Sequence, residues 1–173
     1  MKIQLPKVGM RMVKTVISAF ISAMIGLLRG QPPFYSMIAA ILCMQKEPAK
    51  GVQVAVNRTI GTLIGGAFGF LLLLAEEYTV LEAYTFWYYL VVSLCLIPLI
   101  YFTVLIQKPS SSYITCVVFL SITVSHVSDV NPYLFVFNRI LDTLVGIFAS
   151  LGIDRLFPYR PQNPQEEIEQ EQE

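Results

Sequence analysis

The chain has 173 residues, of which 55% are hydrophobic and 14% charged, and its mean hydropathy is +0.62. Soluble domains carry about 25% charged residues, so composition argues against a soluble globular domain, and the abundance of Leu, Ile, Val and Phe argues against general disorder. Lys+Arg and Asp+Glu each number 12, which leaves no basic surplus for a nucleic-acid partner. Cys43, Cys95 and Cys116 all lie in apolar runs without C-x-x-C spacing. Neither a metal site nor a disulfide framework is expected from them, and no motif calls for a cofactor.

Six apolar stretches follow in chain order. The first runs from about Val13 to Leu28 and stops at Arg29-Gly30-Gln31-Pro32-Pro33. Lys2, Lys7, Arg11 and Lys14 at its start look like the n-region of a signal peptide, but no small-x-small cleavage site follows, so it reads as an uncleaved membrane helix. The second, Phe34 to Met44, is short. The third spans about Ala49 to Ala75, and Pro48 marks its start. The fourth, about Tyr84 to Ile106, contains Pro98, where a kink is expected. The fifth covers about Ser112 to Val127, and the sixth about Tyr133 to Ile153 after Pro132. A membrane helix needs roughly 20 apolar residues. The expectation is therefore an all-α polytopic membrane protein, with a six-helix transmembrane domain over 1–156 and a disordered acidic tail over 157–173.

Basic residues set the orientation. With the N-terminus inside, Lys2, Lys7, Arg11, Lys14, Lys46, Lys50, Lys108, Arg155 and Arg160 fall on the cytoplasmic side, and Arg58 lies near it. Only Arg29 and Arg139 fall toward the outside, where the loops carry Glu76, Glu77, Glu82 and Asp129. Tyr84, Trp87, Tyr88 and Tyr89 at one end of the fourth stretch, with Tyr101 and Phe102 near the other, read as interfacial aromatic belts.

Asn57-Arg58-Thr59-Ile60-Gly61-Thr62-Leu63-Ile64-Gly65 aligns with Asn138-Arg139-Ile140-Leu141-Asp142-Thr143-Leu144-Val145-Gly146, with five of nine positions identical at an offset of 81. Each copy lies in the third helix of a three-helix unit. Three is odd, so the two units would cross the membrane in opposite senses, the pattern of inverted-repeat transporters. Gly61, Gly65 and Gly69 share one helix face, and Asp142, Gly146 and Ser150 take the offset positions. Ser18, Ser22 and Gly26 show the same spacing in the first helix. Such stripes read as close-packing seams, and they are assigned here to a homodimer or higher homo-oligomer.

Arg58 either snorkels at the cytoplasmic boundary or faces inward. Arg139 falls nearly two turns inside the sixth helix, with Asp142 at i+3 placed to pair with it. Intramembrane ionisable residues default to functional roles. The candidate substrate-binding or coupling residues are therefore Arg58, Arg139 and Asp142 with Asn57, Asn138, Thr62 and Thr143. His126 reads as interfacial. No Walker loop, H-E-x-x-H or nucleophile elbow is present, so an enzyme is not expected.

The combination of Gly9-Met10-Arg11 with Lys14-Thr15, Pro33-Phe34-Tyr35-Ser36-Met37-Ile38-Ala39-Ala40-Ile41 with Met44-Gln45, and Arg58-Thr59-Ile60-Gly61-Thr62-Leu63-Ile64-Gly65-Gly66 resembles the aromatic acid exporter family, the fusaric-acid-resistance-like group of bacterial inner-membrane proteins. The Arg-x-x-Asp-Thr-x-x-Gly of the sixth helix resembles it too. The likeness covers about Gly9 to Leu156. It implies a six-helix unit that exports aromatic carboxylic acids or similar amphipathic anions, driven by the proton gradient, with both termini cytoplasmic. Larger members of the group carry two such units and cytosolic domains, whereas this chain carries one unit, which a homodimer would double. A non-transporting membrane scaffold and a channel are the competing functions. The expected partners are the lipid bilayer and a small organic anion.

Overall fold

The computed structural model describes residues 9–78, 85–124 and 132–158. His126, Glu82, Asp129 and the tail from residue 159 lie outside the described residues. Among the described residues there are six α-helices and one 3-10 turn, and no strand. They are α1 (Met10–Leu28), α2 (Phe34–Cys43), α3 (Pro48–Tyr78), α4 (Phe86–Leu105), the 3-10 turn Pro109–Ser111, α5 (Ser112–Thr123) and α6 (Pro132–Leu156). Each coincides with an apolar stretch of the sequence. α4 runs unbroken through Pro98.

Lengths divide these helices into two kinds. α1, α3, α4 and α6 are long and apolar enough to cross a membrane. α2 has 10 residues and α5 has 12, about 15 and 18 Å at a rise of about 1.5 Å per residue, against a hydrocarbon core of about 30 Å. The expectation of six full spans therefore does not extend to α2 and α5. Hydropathy identified them as apolar, but their described lengths are about half a span.

Side-chain contacts fix the helix directions. Lys14 donates to Asp154 at 2.8 Å and Arg29 pairs with Asp142, so α1 runs antiparallel to α6. Phe70 meets Tyr133, and Gly51 lies near Leu151, so α3 is also antiparallel to α6. Tyr35 covers Arg139 while Ala39 and Ala40 touch Gly146, so α2 runs alongside α6 in the same direction. Tyr88 donates to the Thr123 carbonyl at 2.7 Å and Thr103 shares a hydrogen bond with Ser112, so α4 and α5 are antiparallel. The chain thus makes one hairpin, α1–α2, that starts and ends at one end of the bundle. α3 crosses to the other end, α4–α5 forms a second hairpin there, and α6 returns. Arg29, at the tip of the first hairpin, is level with Asp142 near the middle of α6. Ser111, at the tip of the second, touches Gly61 near the middle of α3.

The two tips close with the same hydrogen bonds. Gln31 N–H reaches Gly26 O at 3.1 Å and Gly30 N–H reaches Leu27 O at 3.0 Å. At the other tip, Lys108 N–H reaches Thr103 O at 3.0 Å and Gln107 N–H reaches Val104 O at 2.9 Å. Each is a Schellman cap, with Gly30 at φ 64 and Gln107 at φ 58 in the left-handed region. Gln107 adopts a backbone that disfavours a side chain.

The third helix of each half packs most extensively on the short helix of the other half, α3 on α5 and α6 on α2. A Cβ on Gly65 would lie 2.5 Å from the Thr115 carbonyl, and one on Gly61 would lie 3.0 Å from that of Ser111. One on Gly69 would lie 3.0 Å from the Ile122 side chain. The Gly61, Gly65 and Gly69 face is therefore filled by α5 of the same chain, which corrects its assignment to a partner protomer. Four-residue spacing reveals that a backbone comes close and does not reveal whose. Tyr88 is a second correction. It is 1% exposed and sits in a core with Val92, Leu99 and Phe119, whereas Trp87, Tyr89, Tyr101 and Phe102 are exposed as belt rings.

Candidate functional site in the middle of the bundle

α3 and α6 cross where the repeated segments meet. Thr59, Thr62 and Leu63 on α3 and Ile140, Thr143 and Leu144 on α6 line a cleft of about 70 Å³. Arg58 and Arg139 flank this crossing, 5% and 3% exposed, within electrostatic reach of each other. Neither belongs to an ion pair among the described residues. Arg58 Nε and Arg139 Nε and Nη1 are buried without a hydrogen-bond partner, as is Thr62 Oγ1. Burying a cation without an ion-pair partner costs several kcal/mol, on the order of the whole stability of a domain. Arg58 and Arg139 add mutual repulsion, which the nearby Asp142 offsets in part at Arg139.

Arg139 is held by a ring. Its Cζ lies 3.4 Å from the centroid of Tyr35, the second residue of α2. No side chain caps α2, whose N-terminus carries partial positive charge. Around Arg58 the neighbours differ: Tyr113, the second residue of α5, and Cys43 at the end of α2 lie near it.

Asp142 does not pair with Arg139 as its i+3 spacing suggested. Its carboxylate accepts a hydrogen bond from Arg29 Nη1, and Arg29 Nη2 donates to Asn138 Oδ1 at 3.1 Å. The cause is topological. The first hairpin brings Arg29 to the middle of α6, while Tyr35 already occupies Arg139. Arg29 is thus drawn inward rather than left at an outer surface. At the α3 position matching Asp142, Gly61 admits the Ser111 carbonyl instead.

Of the residues named from the sequence, the structure brings Arg58, Arg139, Thr62 and Thr143 to one crossing and joins Asn138 to Asp142 through Arg29. Thr143 Oγ1 donates to the Arg139 carbonyl at 3.0 Å. Asn57 is half-buried and contributes no contact to the cluster. Sequence reasoning missed Arg29, Tyr35 and Ser111. The only available signal was their place, at the proline-marked breaks between a long run and a short one.

A family model described as fusaric acid resistance protein-like matches residues 13–153. No curated protein and no solved structure matches the chain.

Proposed function

Since the chain belongs to the fusaric acid resistance protein-like family, whose model covers the whole helical body from residue 13 to 153, we propose that it is a transporter that exports aromatic carboxylic acids or similar small organic anions. The observation that carries this reading is the pair of buried guanidiniums with unpartnered N–H groups. A carboxylate entering the crossing would supply the missing charge and accept charge-assisted hydrogen bonds. Tyr35 beside Arg139 offers a ring against which an aromatic substrate can stack.

We further propose that α1–α3 and α4–α6 are inverted repeats. The matching tip caps support this, as does the exchange of packing between halves. So does the equivalence of Gly65 and Gly146, which meet Thr115–Val118–Phe119 and Ser36–Ala39–Ala40 in the same geometry. In such transporters short helices point their N-termini at an anionic group near the midplane, the position of α2 and α5 here. The cleft of about 70 Å³ is far below the roughly 300 Å³ of an organic-ligand pocket, so transport through this crossing requires the hairpins to part. The basic-residue bias supports both termini on the cytoplasmic side, the family likeness supports a bacterial inner membrane, and a homodimer would double the single unit. Asp142 is the proposed proton carrier.

Proteoliposomes loaded with radiolabelled benzoate test the reading. A saturable, pH-gradient-driven efflux is expected. Arg139→Gln should abolish it, and a folded Asp142→Asn should retain benzoate exchange while losing its pH dependence. Flux no greater than that of empty liposomes would favour a scaffold, and non-saturating flux a channel.

A further inference from the structure

The two arginines are not equivalent, and the difference assigns a second site. On the Arg139 side, a ring covers the guanidinium, and the nearby carboxylate of Asp142 is matched by Arg29. On the Arg58 side no carboxylate is present among the described residues, because Gly61 stands where α6 has Asp142. What surrounds Arg58 is instead a set of buried polar groups without hydrogen-bond partners. Arg58 Nε, Thr62 Oγ1 and Ser111 Oγ are all buried and unpartnered. They lie on adjacent turns, since Arg58 and Thr62 flank Gly61 on one face of α3 and the Ser111 carbonyl meets Gly61. The 3-10 turn and α5 begin here without a side-chain cap, so the positive end of that helix is directed into the same region.

We propose that the contact between α3 and the tip of the α4–α5 hairpin, at Arg58, Thr62 and Ser111, binds a small inorganic monovalent anion of the halide class, with chloride the ion a cell would supply. A halide accepts N–H and O–H hydrogen bonds from several directions and needs no planar fork. It neutralises Arg58 and relieves the repulsion from Arg139. Space decides against an organic acid: the Ser111 carbonyl and the Ile114 side chain already lie 3.0 Å from where a Cβ on Gly61 would stand, which leaves no room for a ring. The site shares Arg58 with the transport reading but does not depend on it, because an anion that completes the fold there binds whether or not any substrate moves.

The test is thermal unfolding of the purified chain in detergent as sodium chloride replaces sodium gluconate at constant ionic strength. The wild type should show a saturable rise in Tm of about 3–6 °C. Arg58→Gln should lose the rise. Thr62→Val with Ser111→Ala, which keeps the arginine, should raise the chloride concentration at half-effect at least about tenfold, the loss expected for hydrogen bonds to a charged group. Ser150→Ala, which removes a buried unpartnered hydroxyl elsewhere on α6, should respond like the wild type. If Arg58→Gln does not fold, the double variant decides. An unresponsive wild type, or a chloride response unchanged in the double variant, would overturn the site. An equal rise with sodium acetate would place Arg58 in the carboxylate path and overturn the halide assignment. Absence of benzoate flux with an intact chloride response would separate the two proposals.

Discussion

Asp142→Ala should destabilise the protein by about 3–5 kcal/mol, the range for one-sided removal of a buried ion pair. The Asp142 side chain is 6% exposed and that of Arg29 24%, so the arginine left behind has limited access to water. Its Nη1 loses the carboxylate, and only the hydrogen bond to Asn138 remains. The double variant Arg29→Leu, Asp142→Ala removes both charges and should recover much of the loss. Chemical denaturation in mixed micelles across the four proteins of the cycle reads the coupling directly. Arg139→Leu with Asp142→Ala should show far weaker coupling, because Arg139 sits on Tyr35. Additive effects for Arg29 and Asp142 would remove the pair from the account.

The second large effect is at Gly146. A Cβ there would collide with the Ser36 carbonyl and come within 2.6 Å of Ala39 Cβ. The obstacle is the backbone of α2, which cannot rotate aside as a side chain can. Gly146→Ala should therefore push α2 off α6 and cost at least about 1–3 kcal/mol, as overpacking does. Gly66→Ala is the control. Its nearest neighbour would be Val136 Cγ1 at 3.6 Å, ordinary contact, and alanine favours a helix over glycine by about 1 kcal/mol. Gly66→Ala should raise the unfolding temperature while Gly146→Ala lowers it. Equal responses would mean that α2 does not seat on α6 as described.

The helices were legible because lipid-facing segments must be apolar throughout, and Arg29-Gly30-Gln31-Pro32-Pro33 and Gln107-Lys108-Pro109 interrupt that pattern plainly. The self-match behind the proposed repeat was visible because Arg58, Thr62 and Gly65 recur as Arg139, Thr143 and Gly146. Pairing was not legible. Periodicity places Asp142 one turn from Arg139 on α6, but the partner comes from Arg29, 113 residues away in sequence, and only the folding back of α1–α2 brings it there. The glycine stripe failed for the same reason: a close approach is written in the spacing, but the identity of the approaching helix depends on how the halves interlock. The half-length of α2 and α5 was present in the residue count. Treating every apolar run as a full crossing obscured it.

Equilibrium binding tests the proposed organic-anion site at Arg139 without any assumption about transport. Isothermal titration of benzoate into the purified chain should give one saturable site. Arg139→Gln, which keeps a polar side chain of similar reach, should weaken binding by about 10- to 150-fold, the equivalent of one or more hydrogen bonds to a charged group. Benzoate binding of equal strength to the wild type and to a folded Arg139→Gln protein would contradict the account.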